Sequence, residues 1–541
     1  MSKCLSRPTG RFFVAILWIM LGLLVFPPVA AAEAGEAQPL AFRQAIAEGA
    51  ATDDSLASFY RFRDYKPIWT GGLEDAARRN AFLTALSHAS DQGLAVVRYD
   101  GIALAKAFHE VRGERDRGLL EARMSRAFVR YGQDLQSGIL AAGDVVPLIK
   151  REIVRRDPAA LLAAFANAEP VAFLHNLQPK SPAYARLMKE KLRLELLVAS
   201  SGWGPEISAR ELVPGESGPQ VVALRNRLIA LGYLRRSATE TYDSTMQKAV
   251  QKFQFDLGIE PDGVAGPGTV VELNREPIER LQSVIVAMER LRWMPDDLGE
   301  RHIWVNQADF TAQVVDGGSV SFETRAVVGK NSDDTQSPEF SDMMEFMVVN
   351  PSWSVPRSIT TKEYLPMLKR NPGAAGHLTI VDRNGRAVPR SSINFAAYNE
   401  RNFPYAMRQP PSDGNALGLV KFMFPNPWNI YLHDTPQKAL FAKEIRAFSH
   451  GCIRLNDPFD FAYALLARQT DDPEGTFKAV LRTGAESVIR LEQPVPVHLV
   501  YFTAWPTAKG HMTYRRDVYG RDAALLAALR AAGVELPGVQ G

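Results

Sequence analysis

Ser449-His450-Gly451-Cys452-Ile453-Arg454-Leu455-Asn456-Asp457-Pro458 is the stretch on which the reading of this chain turns. Only two cysteines occur, Cys452 and Cys4, and around Cys452 stand an imidazole, a glycine and a cation. A thiol attacks as its thiolate, which a neighbouring base or positive charge favours. Gly451 permits a tight backbone turn, so the N–H groups of Gly451 and Cys452 are expected to face a developing oxyanion. Asp457 and Pro458 read as the N-cap and first residue of a helix running through Leu466, which would hold the cysteine's turn in place. A second stretch, Trp428 to Thr435, reads as a strand with Ile430 and Leu432 on one face and Tyr431 and His433 on the other. His433 lies 16 residues before Ser449 and 19 before Cys452.

The combination His433-x15-Ser449-His450-Gly451-Cys452 resembles the signature of the L,D-transpeptidases, the YkuD-type enzymes that cross-link cell walls. The resemblance implies that Cys452 is the nucleophile and His433 the general base, and that carbapenems acylate the cysteine. Some relatives carry Asn where this chain has Arg454, and the larger periplasmic members carry Arg. The resemblance points to that large, scaffolded branch with a peptidoglycan-binding module.

At 541 residues the chain is long enough for about three or four domains. Its 46% hydrophobic and 23% charged content are those of a globular protein. The formal charge is +3, and residues 1–32 hold Lys3, Arg7 and Arg11 with no acid, so their removal would leave no net charge. No electrostatic footprint for nucleic acid is present. Residues 1–32 read as a secretory signal, with a basic start, an apolar run from Phe12 to Phe26, and small residues for cleavage near Ala32. The run is short for a membrane span, although an uncleaved anchor is the rival reading and the only membrane attachment foreseen. The expected location is therefore the periplasm of a Gram-negative bacterium. After cleavage Cys452 would be the sole cysteine, with no partner for an internal disulfide. The plain alternative for a lone cysteine is a buried structural thiol; the His-Gly-Cys turn favours a nucleophile.

The expected fold is multidomain α and β. Residues 40–200 read as a helical scaffold domain, rejoined by 275–297, with Phe59, Tyr60, Tyr65 and Trp69 as packing aromatics. Gly202 to Pro219 has the composition of a linker. Residues 212–274 resemble a three-helix peptidoglycan-binding module, through the Leu231-Gly232-Tyr233-Leu234 helix end and the Asp262-Gly263-Val264-Ala265-Gly266-Pro267 segment; a structural spacer is the rival. Residues 300–505 show strand alternation and a hairpin turn at Asp316-Gly317-Gly318, resembling a mixed, mainly-β catalytic domain. An insertion at 357–419 suggests a lid, with a surface excursion as the alternative. Residues 506–541 form a C-terminal extension.

The chemistry the resemblance implies is acyl transfer through a Cys452 thioester, from a donor tetrapeptide to the side-chain amine of an acceptor stem, forming 3-3 links between diaminopimelates. Arg454 would steady the thiolate or a substrate carboxylate, or else form a salt bridge to Asp457 or Asp460. Tyr431 and Trp353 would wall the site, Ser449 would orient a histidine, and His450 would position rather than transfer protons. Peptidoglycan stem peptides are the expected partners, with other peptidoglycan synthases as a further possibility; no cofactor and no metal are required. A zinc site from His433, His450 and Cys452 has no known ligand spacing. An L,D-carboxypeptidase or another cysteine peptidase acting on wall peptides is the nearest alternative, and a non-enzymatic wall-binding protein the more distant one.

Overall fold

The computed structural model describes residues 38–200, 203–332, 334–507 and 511–537. The expected signal segment and Cys4 lie outside the described residues. Among the described residues, no helix is long and apolar enough to cross a membrane.

Helices dominate from Leu40 to Ala199, centred on the long helix Glu114–Ser137. Its Leu120, Met124, Phe128 and Leu135 are buried on one side, as helical spacing requires. Phe128 stacks on Phe165 at 4.4 Å and meets Trp69 at 5.6 Å. The helix Leu40–Gly49 crosses at Gly118, where a Cβ would come within 2.6 Å of the Phe42 carbonyl. Tyr60 and Trp69 are fully buried, as packing aromatics should be. Inside this core Glu121 accepts from the Ile68 N–H (2.7 Å), the Thr70 hydroxyl (2.7 Å) and the Tyr60 hydroxyl (2.9 Å), satisfying groups that water cannot reach.

Three helices, Pro219–Ala230, Ser244–Leu257 and Pro267–Asn274, follow the linker. Asp243 caps the second by accepting from Thr245 and Met246 N–H groups. The chain then returns to the scaffold as helix Pro277–Arg292, packed along Pro182–Ala199. One hydrophobic cluster runs continuously through scaffold, three-helix module and this returning helix, and takes in Phe502, Ala504, Tyr514 and Leu525. The C-terminal residues, including helix Arg521–Ala531, thus close the scaffold's core.

The strands are β1 Arg301–Asn306, β2 Thr311–Asp316, β3 Ser319–Gly329, β4 Phe340–Val349, β5 Trp353–Ser354, β6 Thr379–Val381, β7 Ala406–Gln409, β8 Val420–Met423, β9 Leu432–His433, β10 Ala447–Ser449, β11 Ile453–Leu455, β12 Ser487–Val500, β13 Ala504–Pro506 and β14 Met512–Tyr514. The large mixed sheet has the order β10-β3-β11-β9-β8-β4-β12-β1-β2. Because β3 pairs β2 through Ser319–Arg325 and β11 through Ala326 and Val327, the sheet closes on itself. Gly317 and Gly318, both at positive φ, make the expected hairpin turn. The last long strand, β12, runs unbroken from Ser487 to Val500, with an irregularity between Arg490 and Val495 in its pairing to β4.

The insertion after β5 is a folded cap with its own core of Trp353, Ile359, Leu365, Leu368, Phe395 and Met407 among others. A helical run from Arg357 to Arg370 includes a π-helical turn at Thr360–Tyr364, and β5-β7-β6 form a small sheet. Trp353 is buried in this core. Tyr431 is packed against both the cap core and the core of the large sheet.

Candidate active site

Strands β9 and β11 run parallel, with Leu432 opposite Ile453 and His433 opposite Arg454. Side chains alternate along a strand, so Leu432 and Ile453 enter the core, both fully buried, while His433 and Arg454 share the other face. Tyr431 and Cys452, one step earlier on each chain, fall on that same face, and the Tyr431 carbonyl accepts from the Ile453 N–H at 3.1 Å. Four expected site residues are thereby brought onto one face. Tyr431 and His433 rings lie 5.6 Å apart, edge to face.

The expected strand from Trp428 is shorter than its alternation suggests. Asn426 accepts from the Trp428 and Ile430 N–H groups and donates to the Phe424 and Ile430 carbonyls, folding 426–430 into a turn. Asn429 sits at φ 55°, and its carbonyl accepts from the Cys452 thiol at 3.5 Å. Gly451, at φ 114°, has backbone that a side chain would strain.

Ser449 does not orient a histidine. Its hydroxyl donates to the Cys452 carbonyl (2.5 Å) and accepts from the Gly451 N–H (3.2 Å), so it shapes the cysteine's own turn. The Gly451 N–H is thereby occupied, which corrects the expectation of two oxyanion donors. The Cys452 N–H has no partner among the described residues. The Gly451 carbonyl is held by the Ser337 hydroxyl at 2.6 Å.

His433 is buried, and its Nδ1 lies 2.5 Å from the Asp434 carbonyl. A carbonyl oxygen only accepts, so Nδ1 carries the proton and Nε2 is left as the basic nitrogen. Asp434 is itself fixed by the Leu419 N–H (2.9 Å), its own neighbour's Thr435 N–H (2.7 Å) and Lys438 Nζ (2.8 Å). Burial pushes His433 down to about 3, with the Arg454 cation adding and the Asp434 carbonyl opposing. Burial likewise pushes the Cys452 thiol up to about 11, against hydrogen bonds from Tyr431 and the charge of Arg454. Both shifts favour the uncharged forms, so the resting pair is thiol and neutral imidazole.

Arg454 makes no salt bridge to Asp457 or Asp460. It donates to Gln437 Oε1 at 2.6 Å, while Asp457 accepts from the Thr324 hydroxyl (2.8 Å) and forms no side-chain cap on its helix. Arg454 Nε is buried without a partner. His450 Nε2 donates to Glu363 Oε1 of the cap at 2.5 Å. Among the described residues, no cluster of three or more His, Cys, Asp or Glu is placed to hold a metal.

The sequence reading missed Asp434, Asn429 and Ser337. The first two act through backbone carbonyls, which carry no side-chain signature. Asn426-Pro427 was a turn signal that the hydrophobic alternation of Ile430 and Leu432 masked.

Residues 300–481 match the L,D-transpeptidase catalytic domain family, 217–273 the family described as "Putative peptidoglycan binding domain", and 54–190 a scaffold domain family. A Haemophilus influenzae protein named "Putative L,D-transpeptidase" is 34% identical over 245 residues, covering 44% of this chain and 48% of that protein. The match thus spans about half the length of that relative. Crystal structures of L,D-transpeptidases from Xylanimonas cellulosilytica and Stackebrandtia nassauensis are each 16% identical and cover 55% of this chain. They are covered over 100% and 96% of their own chains, with TM-scores of 0.17 and 0.20, too low to carry an argument. On the domain matches, residues 300–481 are an L,D-transpeptidase catalytic domain by family, joined in one chain to a peptidoglycan-binding-family domain and a scaffold domain.

Proposed function

We propose that this protein is a peptidoglycan L,D-transpeptidase that forms 3-3 cross-links between diaminopimelates through a Cys452 thioester. The observation that carries the reading is the fixed tautomer of His433, whose Nδ1–H is held by the Asp434 carbonyl on the strand beside Cys452's own. Nε2 takes the thiol proton as sulfur attacks the carbonyl at the L-centre of diaminopimelate in a donor tetrapeptide. The carbon–nitrogen bond breaks, and D-alanine leaves with the proton from His433. A side-chain amine of a second stem then attacks the thioester, gives its proton to His433, and expels the Cys452 sulfur. The Cys452 N–H is the donor assigned to the oxyanion, an interaction worth about 3–4 kcal/mol where such donors have been removed. Tyr431 and Arg454, which both favour the thiolate, lower the cost of its transient charge.

The peptidoglycan-binding-family domain supports a wall-bound enzyme, because tethering raises the local concentration of neighbouring stems. The wall compartment, reached by export, is the corresponding location, and partner synthases would act on the same polymer. The test is mass spectrometry of products from a disaccharide tetrapeptide. Cross-linked dimers with released D-alanine are expected, with some hydrolysed tripeptide. If ample acceptor yields tripeptide alone, the protein is an L,D-carboxypeptidase. Cys452→Ala should abolish both products and His433→Ala should remove most of them; wild-type yield from Cys452→Ala would overturn the assignment.

A further inference from the structure

One peptide unit joins the Gly451 carbonyl to the Cys452 N–H, the donor assigned above to the oxyanion. A peptide unit is planar, and in its trans form the N–H points away from the C=O. Whatever holds the Gly451 oxygen therefore aims the Cys452 hydrogen. That oxygen is held by the Ser337 hydroxyl at 2.6 Å.

Three observations make this hold a built one. The hydroxyl has a single direction open to it. Ser337 Oγ accepts from the Gly329 N–H at 3.0 Å, and a carbonyl only accepts, so the hydroxyl proton points at Gly451. Ser337 is also fully buried, so water does not compete for the bond. The close approach of its segment to β3 needs glycine at 329, where a Cβ would lie 1.9 Å from the Thr335 carbonyl oxygen and 2.7 Å from the Ser337 nitrogen. Finally, the Ser337 backbone is pinned. Pro338 restricts it to extended conformations, and Arg521 donates to its carbonyl at 2.6 Å while pairing with Glu339 at 2.9 Å. Arg521 stands on the helix Arg521–Ala531, outside residues 300–481.

The rest of the turn is arranged around the same N–H. Ser449 Oγ engages the Gly451 N–H and the Cys452 carbonyl. Of the backbone polar groups of Gly451 and Cys452, the Cys452 N–H alone is then without a partner among the described residues. A hydrogen bond donated to a carbonyl also strengthens the N–H of the same amide, because linked hydrogen bonds polarise one another. Ser337 thus bears on both the direction and the strength of that donor.

We propose that Ser337 is a positioning residue for acyl transfer, setting the plane of the Gly451–Cys452 peptide so that its N–H meets the oxyanion. This rests on the reading of Cys452 as the acylated nucleophile. As sulfur bonds to the acyl carbon, the carbonyl π pair moves to oxygen and the thiol proton passes to His433 Nε2. When the carbon–nitrogen bond breaks, the pair returns to form the thioester carbonyl, and the leaving nitrogen takes the proton. The oxygen carries full charge only in the tetrahedral intermediate. A misaimed donor therefore slows acylation while leaving the thiol and its base as they were.

The test compares two reactions of the same thiol in the full chain, each followed by intact mass. Attack on the β-lactam carbonyl of a carbapenem passes through an oxyanion, whereas attack on the saturated carbon of iodoacetamide expels iodide and forms none. Ser337→Ala should slow acylation at least about tenfold, part of the roughly 10²–10³-fold lost when an oxyanion donor is removed outright. The alkylation rate and its pH profile should match wild type. Ser337→Thr, which keeps the hydroxyl, should recover most of the loss. Unchanged acylation, an equal fall in both reactions, or no recovery in a folded Ser337→Thr overturns the inference; the equal fall would mean a hydroxyl that only braces the cysteine. If the alanine variant melts too low to assay, Ser337→Cys decides by the same two rates at Cys452, read by peptide mapping, since a thiol is a weak donor. Wild-type protein that iodoacetamide labels and a carbapenem does not would remove the acyl-transfer reading, and this inference with it, before any variant is compared.

Discussion

The scaffold and the cap both lean on the closed sheet, and they are fastened to it by opposite means. On the scaffold side, Arg290 meets Glu339 at 2.6 Å and Arg521 meets the same carboxylate at 2.9 Å, with side chains only 2–3% exposed. Arg290 also holds Asp522 at 3.0 Å, so two cations and two acids share one dry site. On the cap side, Glu363–His450 is a pair of partly exposed groups, Lys362–Asp334 is more exposed still, and Arg408–Glu486 spans 3.4 Å. Water competes for each of these. The apolar bridge on that side is Tyr431, which touches both cores. The contrast teaches which boundary is built to stay shut and which is built to yield.

The largest effect should come from the buried side. Glu339→Ala leaves Arg521 without a carboxylate partner and Arg290 with Asp522 alone, at a cost of about 3–5 kcal/mol. The thermal midpoint should fall sharply; a melt like that of wild type would show that the buried pairs do not fasten scaffold to sheet.

A middle effect should come from acid. His498 stands at the scaffold boundary, its Nε2 donating to the Leu298 carbonyl at 2.9 Å and its Nδ1 accepting from the Ser341 hydroxyl. Burial pushes it down to about 4, with the Leu298 carbonyl opposing and Arg151 and His302 adding. Its folded value is depressed, so between about pH 6.5 and 4 the unfolded chain binds a proton that the native fold refuses. Stability should be full above about pH 6.5 and decline as pH falls toward 4, and His498→Gln should flatten that slope in a melt series. The opposite sign holds for the Cys452 thiol: alkylation should keep accelerating up to about pH 11. A plateau near pH 8.5, the ordinary thiol value, would mean that the cysteine is less enclosed than its surroundings indicate.

The smallest change in stability belongs to the cap. Glu363→Gln removes a partly exposed pair worth less than about 1 kcal/mol, yet it should speed proteolysis within 371–400. A carbapenem adduct at Cys452 should slow the same cleavage. Equal cleavage in all three states would make the cap a rigid part of the sheet and erase the contrast.

How much of this was legible beforehand follows from what each residue does. The hairpin at Gly317-Gly318, the three helices within 212–274 and the return to the helical scaffold within 275–297 rest on local spacing and turn chemistry, and each was expected from the sequence. His433 and Cys452 were legible as a pair because the resemblance supplied their spacing. The role of Ser449 was not, because it depends on a partner that only the turn geometry chooses. Asp457 looked like an N-cap by position, but its carboxylate was claimed by Thr324 on β3. The cap's separate core was hidden among Pro, Gly and Asn residues, whose composition advertises loops even where Leu365, Leu368 and Phe395 pack together. The buried charges Glu339 and Arg521 lie far apart in the chain, and no local pattern joins them.

Ser337 holds the carbonyl of Gly451, and the segment carrying Ser337 is held in turn by Arg521, which donates to the Ser337 carbonyl at 2.6 Å. Tyr519 adds a second prop, its hydroxyl donating to the Gly329 carbonyl at 2.6 Å. Both props are made long after Cys452 as the polypeptide grows. During synthesis the thiol is therefore complete before the struts that fix its turn exist, and the nascent chain passes through an interval with a cysteine but no organised centre. A chain that ends before Tyr519 and Arg521 carries the cysteine without the struts that brace its turn.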